Sequence, residues 1–370
     1  MTVAVDLGAQ PLADTFPLVD EPDPPAGPLA VGVCGPCGLV QATTPMPGAD
    51  GGMATHGESL SVVSAAQRAH FAQLAEAAAA RGIAGAVAAH GHQPEAVVSA
   101  FGRAHAGIPA PARPKREGEG AALVVDHAGI AHEDDLRAAV ERLAAEVGDG
   151  GWLAVEIHHA LALLQGAQFD VLTHEHRAYL TVGALVPLLA SVGFGAVSAE
   201  RLPLYGGTVR VWARRDGVAD ASVAAMLADE ERGNAASPER WSALGAHGRE
   251  AASAFAAFLR DKHAEGTTVA GYGAPSRAAT LLHLAGVVDG ELLAFTVDAS
   301  PAKHGRRLPG TAVDIRPPPA LEEARPGVIV VFPYDLAPEI VAEWGARAAA
   351  WGGTFVVALP SLRPVAVGGG

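Results

Sequence analysis

The sequence predicts an α/β protein with two successive doubly wound domains behind a small, loop-rich N-terminal lobe. Three observations support this. Apolar runs of strand length alternate with helix-spaced segments over residues 84–160, and the same alternation returns over residues 267–359. A long alanine-rich helix separates the two series. The first fifty residues hold Pro22, Pro24, Pro25 and Pro28 close together and only short apolar runs, such as Leu29 to Val33 and Leu39-Val40.

After that lobe, Gln67, Arg68, Gln73 and Glu76 interrupt an alanine and leucine background at helical spacing, so Ser61 to Ala80 is a helix stopped by Arg81-Gly82. The first series then runs as strand Ala84 to Ala89, helix Pro94 to Arg103, strand Ala122 to Asp126, helix Asp134 to Val147 and strand Trp152 to Ile157. Between Ala104 and Gly120, Pro109, Pro111, Pro114 and a charged cluster mark an irregular connection. The long helix covers Pro238 to His263. The second series follows as strand Thr267 to Ala270, helix Ser276 to Leu284, strand Leu292 to Asp298, strand Val328 to Phe332, helix Ala337 to Ala350 and strand Thr354 to Leu359. Its ligand crevice is expected at the carboxyl ends of the strands. The expected domains are residues 1–50, 51–235 and 236–370.

Bulk properties narrow the function. With 26 Lys and Arg against 40 Asp and Glu, the net charge of −14 repels a nucleic-acid backbone. No apolar run reaches the roughly 18 residues of a membrane span, and Met1-Thr2-Val3-Ala4-Val5-Asp6 lacks signal-peptide character. The only cysteines, Cys34 and Cys37, are too few for a secreted disulfide framework. A cytoplasmic protein acting on a small molecule, without nucleic-acid or membrane partners, is the expectation.

Three segments carry chemistry. Cys34-Gly35-Pro36-Cys37 has the spacing of half a zinc site, and equally that of a tight turn. Gly271-Tyr272-Gly273-Ala274-Pro275-Ser276-Arg277 links a strand to a helix, where free N–H groups could meet a phosphate. The spacing is not G-x-G-x-x-G and Pro275 removes a donor, so a plain turn competes, while Lys303, Arg306 and Arg307 downstream favour a phosphate. His174-Glu175-His176 puts a carboxylate between two imidazoles, which suits a general base beside a carbonyl and also a solvated, His-rich loop.

Several blocks in register resemble the S-adenosylmethionine-dependent C-methyltransferases that act on nucleotide-linked keto-deoxysugars in antibiotic pathways. Asp6-Leu7-Gly8-Ala9-Gln10-Pro11 and Cys34-Gly35-Pro36-Cys37-Gly38-Leu39 are similar to that family's zinc-binding lobe. Phe169-Asp170 through His174-Glu175-His176 to Tyr179, and Gly206-Gly207-Thr208-Val209-Arg210, resemble its catalytic loop and the strand after it. Gly271-Tyr272-Gly273-Ala274-Pro275 and Thr296-Val297-Asp298 through Pro301, Lys303, Gly305-Arg306 and Leu308-Pro309-Gly310-Thr311 resemble its sugar-nucleotide domain. The resemblance implies a class I methyltransferase-like Rossmann domain in the middle of the chain and a second Rossmann-like domain after it. It assigns the base to His176, with Glu175 and His132 beside it. It places His56, Thr173, His174, Gly271, Tyr272, Gly273, Pro275, Arg277, Lys303 and Arg306 around the substrate.

The departures from that family point elsewhere. The family's first CxxC pair would precede Leu7, so neither zinc nor another metal is expected. Thr173 stands where the family has a tyrosine, and Ala54 and His56 replace a tyrosine pair. The cofactor turn is Val87-Ala88-Ala89-His90-Gly91-His92-Gln93-Pro94, with one glycine and no acid. The expected protein is therefore an enzyme of natural-product biosynthesis without a cofactor. It would enolise a keto-sugar nucleotide or polyketide-type substrate at His176 and lead it to epimerisation, isomerisation or cyclisation. The alternatives are an S-adenosylmethionine-dependent C-methyltransferase on a nucleotide-linked 4-keto-deoxysugar, whose degenerate loop His90, Gly91 and His92 still holds the cofactor, and a non-catalytic pathway partner.

Overall fold

The computed structural model describes residues 1–44, 46, 60–104 and 120–366. His56, Ala54 and the Pro-rich connection with Pro109, Pro111 and Pro114 lie outside them.

The N-terminal lobe is a sheet, which corrects the loop-rich expectation. Strand β1 (Thr2–Pro11) pairs antiparallel with β2 (Ala26–Val33), from Thr2 opposite Val33 to Pro11 opposite Ala26. Val5 and Leu7 turn inward while Asp6 turns out, the period of two of a half-buried strand. Three of the four prolines fall in the connection between the strands. Pro28 lies in β2 opposite Ala9, beside a break in register where a missing N–H is tolerated. Strand β3 (Val40–Ala42) pairs with β2, and β7 (Ala178–Tyr179), from the middle of the chain, completes the sheet at β3.

The second sheet holds β4 (Val87–Gly91), β5 (Ala121–His127), β6 (Val147–His158), β9 (Thr208–Arg215) and β8 (Phe194–Leu202), side by side in that order. The first three are parallel, and β9 runs antiparallel between β6 and β8. Helices cover both faces. Leu123, Val125, Ala154 and Trp212 meet α1 (Ala65–Ala80) and α2 (Pro94–Ala104). Val124, Val155, Val209 and Val211 meet α3 (Leu136–Glu146), α5 (Val182–Ala190) and α6 (Ala221–Arg232), with the short α4 (Ala160–Gln165) lying between β6 and β7 in the chain. The α/β class is as expected, but the winding is single. Strand β4 is an edge, so among the described residues the strand order never reverses in this sheet.

The third sheet does reverse. Its order is β12 (Arg306–Arg307), β13 (Asp314–Arg316), β11 (Thr296–Val297), β10 (Val269–Tyr272), β14 (Val328–Val331), β15 (Thr354–Val357), β16 (Arg363–Val365), and the order turns between β10 and β14. One face packs on α9 (Ala320–Ala324) and α10 (Ala337–Ala349). On the other, Val269, Val328 and Val330 share one core with α7 (Pro238–Ala264), α8 (Arg277–Ala285) and the N-terminal strands. The lobe at 1–50 is thus packed as part of the C-terminal unit. No helix among the described residues is long and apolar enough to cross a membrane.

Candidate active site

The three sheets surround one cavity of about 2080 Å³. The segment from Phe169 to Thr181 forms one wall and is tied on every side. His174 is fully buried, and its Nε2–H donates to the carbonyls of Gln10 at 3.1 Å and Gly27 at 3.2 Å. The Asp14 N–H donates to Glu175 Oε1 at 3.0 Å. The Thr280 hydroxyl donates to the Leu172 carbonyl at 3.3 Å. Tyr179, in β7, is held by the N-terminal sheet.

A bend at His174-Glu175 sends the three side chains in different directions. Only His176 enters the cavity, so the expected contact of His174 with substrate is corrected: it pins β1 to β2. Glu175 does not line the cavity either, and its Oε2 has no partner. Burial first, then nearby Asp14, raises its carboxyl to about 7. The orienting partner of His176 is instead the Val171 carbonyl, 2.6 Å from Nδ1. A carbonyl only accepts, so Nδ1 carries a hydrogen and, in the neutral ring, the lone pair falls on Nε2.

Around it stand other imidazoles. The His132 ring meets His176 edge-on at 4.7 Å between centroids, and His92 meets His132 at 5.9 Å. His132 ends a short turn after β5, fixed by the Ile130 N–H donating to Asp126 Oδ2 at 3.0 Å. Burial, with His176 and His92 adding, holds His132 well below the usual histidine range. Burial likewise lowers His92 to about 4 and His158 to about 3. The pocket therefore offers neutral imidazoles near neutral pH. Sequence reasoning passed over His158, whose Nε2 lies 3.0 Å from Gln168 Oε1, because a histidine pair closing an apolar strand stands in no motif.

On the opposite wall are Tyr272, Gly273, Pro275 and Arg277, at the end of β10, as the sequence predicts. Gly271 is corrected: it lies inside the sheet, where a Cβ would come within 2.6 Å of Thr296 Oγ1. Gly273 adopts φ +85° against Pro333. The basic groups line the cavity but are engaged within the protein. Arg277 pairs with Asp335, sits 3.8 Å from Asp170 and stacks on Tyr334. The buried Lys303 donates to the Ala274 carbonyl at 2.7 Å. Arg306 donates to the Phe16 carbonyl at 2.7 Å. The expected free phosphate-binding cluster is corrected accordingly, since a phosphate would have to displace these bonds. Thr173 lines the cavity beside Tyr179.

At the end of β4, His90, Gly91 and His92 line the cavity, and the half-exposed His90 also meets Glu146 at 2.9 Å. Gly91 has φ +83°, and a Cβ there would lie 2.3 Å from the His127 carbonyl. The His92 N–H donates to that same carbonyl at 2.8 Å. The ends of β4 and β5 are thereby closed onto one another.

His70, His127 and Glu156 form the one cluster of metal-ligand type among the described residues. Arg210 already balances it, with Nε 2.6 Å from Glu156 Oε1, and His70 lies 2.9 Å from Oε2. Burial pushes Glu156 up, but bonds from His127 and His70 and the Arg210 charge outweigh this and hold it well below the usual range. Cys34 and Cys37 sit in the β2–β3 turn, closed by the Gly38 N–H donating to the Cys34 carbonyl at 2.8 Å. No third ligand group joins them among the described residues.

Residues 203–360 match the sequence model of the C-methyltransferase C-terminal domain. That stretch, less than half of the chain, is what it shares with the C-methyltransferases. The chain is 29% identical over 248 residues to C-methyltransferase NovU of Streptomyces niveus, across 66% of this chain and 59% of that protein. The aligned part thus spans less than two thirds of that relative. Among solved structures, the chain overlaps the 1,6-didemethyltoxoflavin-N1-methyltransferase of Burkholderia thailandensis at 14% identity and a TM-score of 0.32, over 50% of this chain and 95% of that one. It overlaps the mitomycin 7-O-methyltransferase MmcR at 18% identity and a TM-score of 0.32, over 40% and 53% of the two chains.

Proposed function

We propose that this protein, which resembles the C-methyltransferases, is an enzyme of natural-product biosynthesis that enolises a carbonyl substrate, with His176 Nε2 as the base. The observation that carries the reading is the 2.6 Å bond from His176 Nδ1–H to the Val171 carbonyl, which makes Nε2 the nitrogen that bears the lone pair of the neutral ring. The proton taken from the carbon beside the carbonyl moves to Nε2, and its electron pair moves to the carbonyl oxygen. The imidazolium returns a proton to the face it came from, which gives exchange, or loses it to solvent while water protonates the opposite face, which gives epimerisation. His132 keeps the base in a low-polarity, mostly neutral surrounding. Glu175 acts at a distance, by fixing the bend that aims His176.

A nucleotide-linked keto-deoxysugar is the substrate we favour, because the cavity exceeds the roughly 300–1,000 Å³ of an ordinary small-ligand pocket and ends at the reversal of the third sheet. The family also implies S-adenosylmethionine. The end of β4 closed against the His127 carbonyl, the absence of reversal in the second sheet among the described residues and the lack of an acidic residue in Val87 to Pro94 do not fit that group, and no step is drawn through it. The match of residues 203–360 to the C-methyltransferase C-terminal domain favours a second reading, in which the same enolate is methylated.

Incubation in heavy water with a thymidine diphosphate 4-keto-6-deoxyhexose, with and without labelled S-adenosylmethionine, tests both. Mass spectrometry is expected to show deuterium in the sugar without cofactor, and His176→Gln to slow uptake by about a hundredfold or more. Label in the sugar would establish the methylating reading. No exchange in the wild-type chain would overturn the base.

A further inference from the structure

Tyr205 follows Leu204 and precedes Gly206-Gly207, and its own backbone lies in the left-handed region at φ 55° and ψ 26°. An aromatic residue is strained there, by roughly 1–3 kcal/mol, and such strain persists only where neighbours overdetermine it. They do so here. The Gly206 carbonyl accepts from Gln168 Nε2 at 3.2 Å, and the Gly207 carbonyl accepts from the His159 N–H at 3.0 Å. The Thr208 hydroxyl donates to the Leu204 carbonyl at 3.0 Å. The turn holds the phenol in the cavity wall, 6.4 Å between ring centroids from His158 and 6.1 Å from His127.

The direction of its hydrogen bond follows from the start of α1. The Ser64 N–H donates to Gln67 Oε1 at 2.8 Å, while the Gln67 N–H donates to Ser64 Oγ at 3.1 Å. This reciprocal cap fixes the Gln67 amide, because a backbone N–H must face the amide oxygen. Gln67 Nε2 is left facing Tyr205, 2.6 Å from the phenol oxygen, and donates to it. The phenol therefore accepts from Gln67 and keeps its own hydrogen for another acceptor. Among the described residues no acceptor takes it.

We infer that Tyr205 is a further catalytic residue, whose O–H donates to the substrate carbonyl and stabilises the enolate oxygen. The inference rests on the enolisation reading above. While His176 Nε2 removes the proton, the negative charge developing on oxygen meets a donor already oriented by Gln67. The phenol keeps its proton throughout, so the step balances on His176 alone. Burial, the main cause, raises the phenol to about 12, which favours a donor over a base.

Two variants test the direction of the bond. Tyr205→Phe keeps the ring and is expected to slow deuterium exchange by about a hundredfold, with the melting temperature close to wild type. Gln67→Glu keeps the cap to the Ser64 N–H but turns its second oxygen into an acceptor, so the phenol hydrogen is drawn to Glu and away from substrate. It is expected to slow exchange like Tyr205→Phe, although Tyr205 is intact. A merely structural Tyr205–Gln67 bond would survive this change, so a wild-type rate in Gln67→Glu overturns the inference, as does a wild-type rate in Tyr205→Phe. If the wild-type chain binds the keto-sugar nucleotide without exchange, the base reading fails alone. The donor is then read from affinity, expected to weaken about threefold to tenfold in Tyr205→Phe. Equal affinity would overturn it, and absence of both binding and exchange would overturn both assignments.

Discussion

Glu175 is the residue at which sequence and structure part furthest. Its place between two histidines suggests a partner for the base, yet its carboxyl is buried against the Asp14 N–H, with one oxygen unpaired. Raised from 4.5 to about 7, it is protonated in the folded chain where it would be ionised in the unfolded one. Its contribution to stability is complete below the unfolded value and is lost as pH rises through about 7. Over that window the loss is about 3 kcal/mol. Glu175→Gln should therefore melt higher than wild type at pH 8 and lose that advantage by pH 4.5, as thermal scans across pH would show. An advantage unchanged between those pH values would refute the assignment. His92 and His158 run the other way: their stability is present above about 6.5 and lost as pH falls towards about 4 and about 3. His132 and His176 were legible as candidates, because they stand in motifs. Tyr205 was not, since a tyrosine before two glycines announces a turn without saying that the aromatic residue itself takes positive φ.

Among the elements, β6 and β9 are joined by a charge pair as well as by their ladder. Glu156 and Arg210 are direct cross-strand partners, and both are fully buried. Removing the cation leaves a carboxylate in the interior beside two histidines. Arg210→Met is expected to destabilise the chain by about 3–5 kcal/mol, measured by denaturant unfolding. At the end of β4, Gly91→Ala adds a methyl group against the His127 carbonyl in a backbone region that disfavours it, so about 1–3 kcal/mol is expected there. The helices were legible because their ends are written in side chains: Ser64 with Gln67, Asp135, and Ser237 before Pro238. Strands were less so. The apolar run Leu292 to Asp298 marks burial, but only Thr296–Val297 joins the ladder. The run Val3 to Leu7 shows alternation, and the nearby prolines hid it.

At the scale of the whole molecule, two doubly wound domains were expected and one is found, because strand order depends on pairings that no local pattern records. The same holds for the N-terminal sheet, whose Val5, Leu29 and Val31 pack into the core containing Phe169, Trp241 and Leu281. Deleting residues 1–33 should expose that core. It should abolish deuterium exchange and produce dye binding to apolar surface, whereas a separable lobe would leave exchange intact. The wall bearing His176 is fastened to β1 and β2 through His174, to β3 through β7 and to α8 through Thr280, which are sites spread over most of the chain. Loop closure over such separations is slow compared with helix formation. On the proposed enolisation, a chain still being synthesised carries histidines but no aimed base until α8 has docked, so proton abstraction waits until folding is nearly finished.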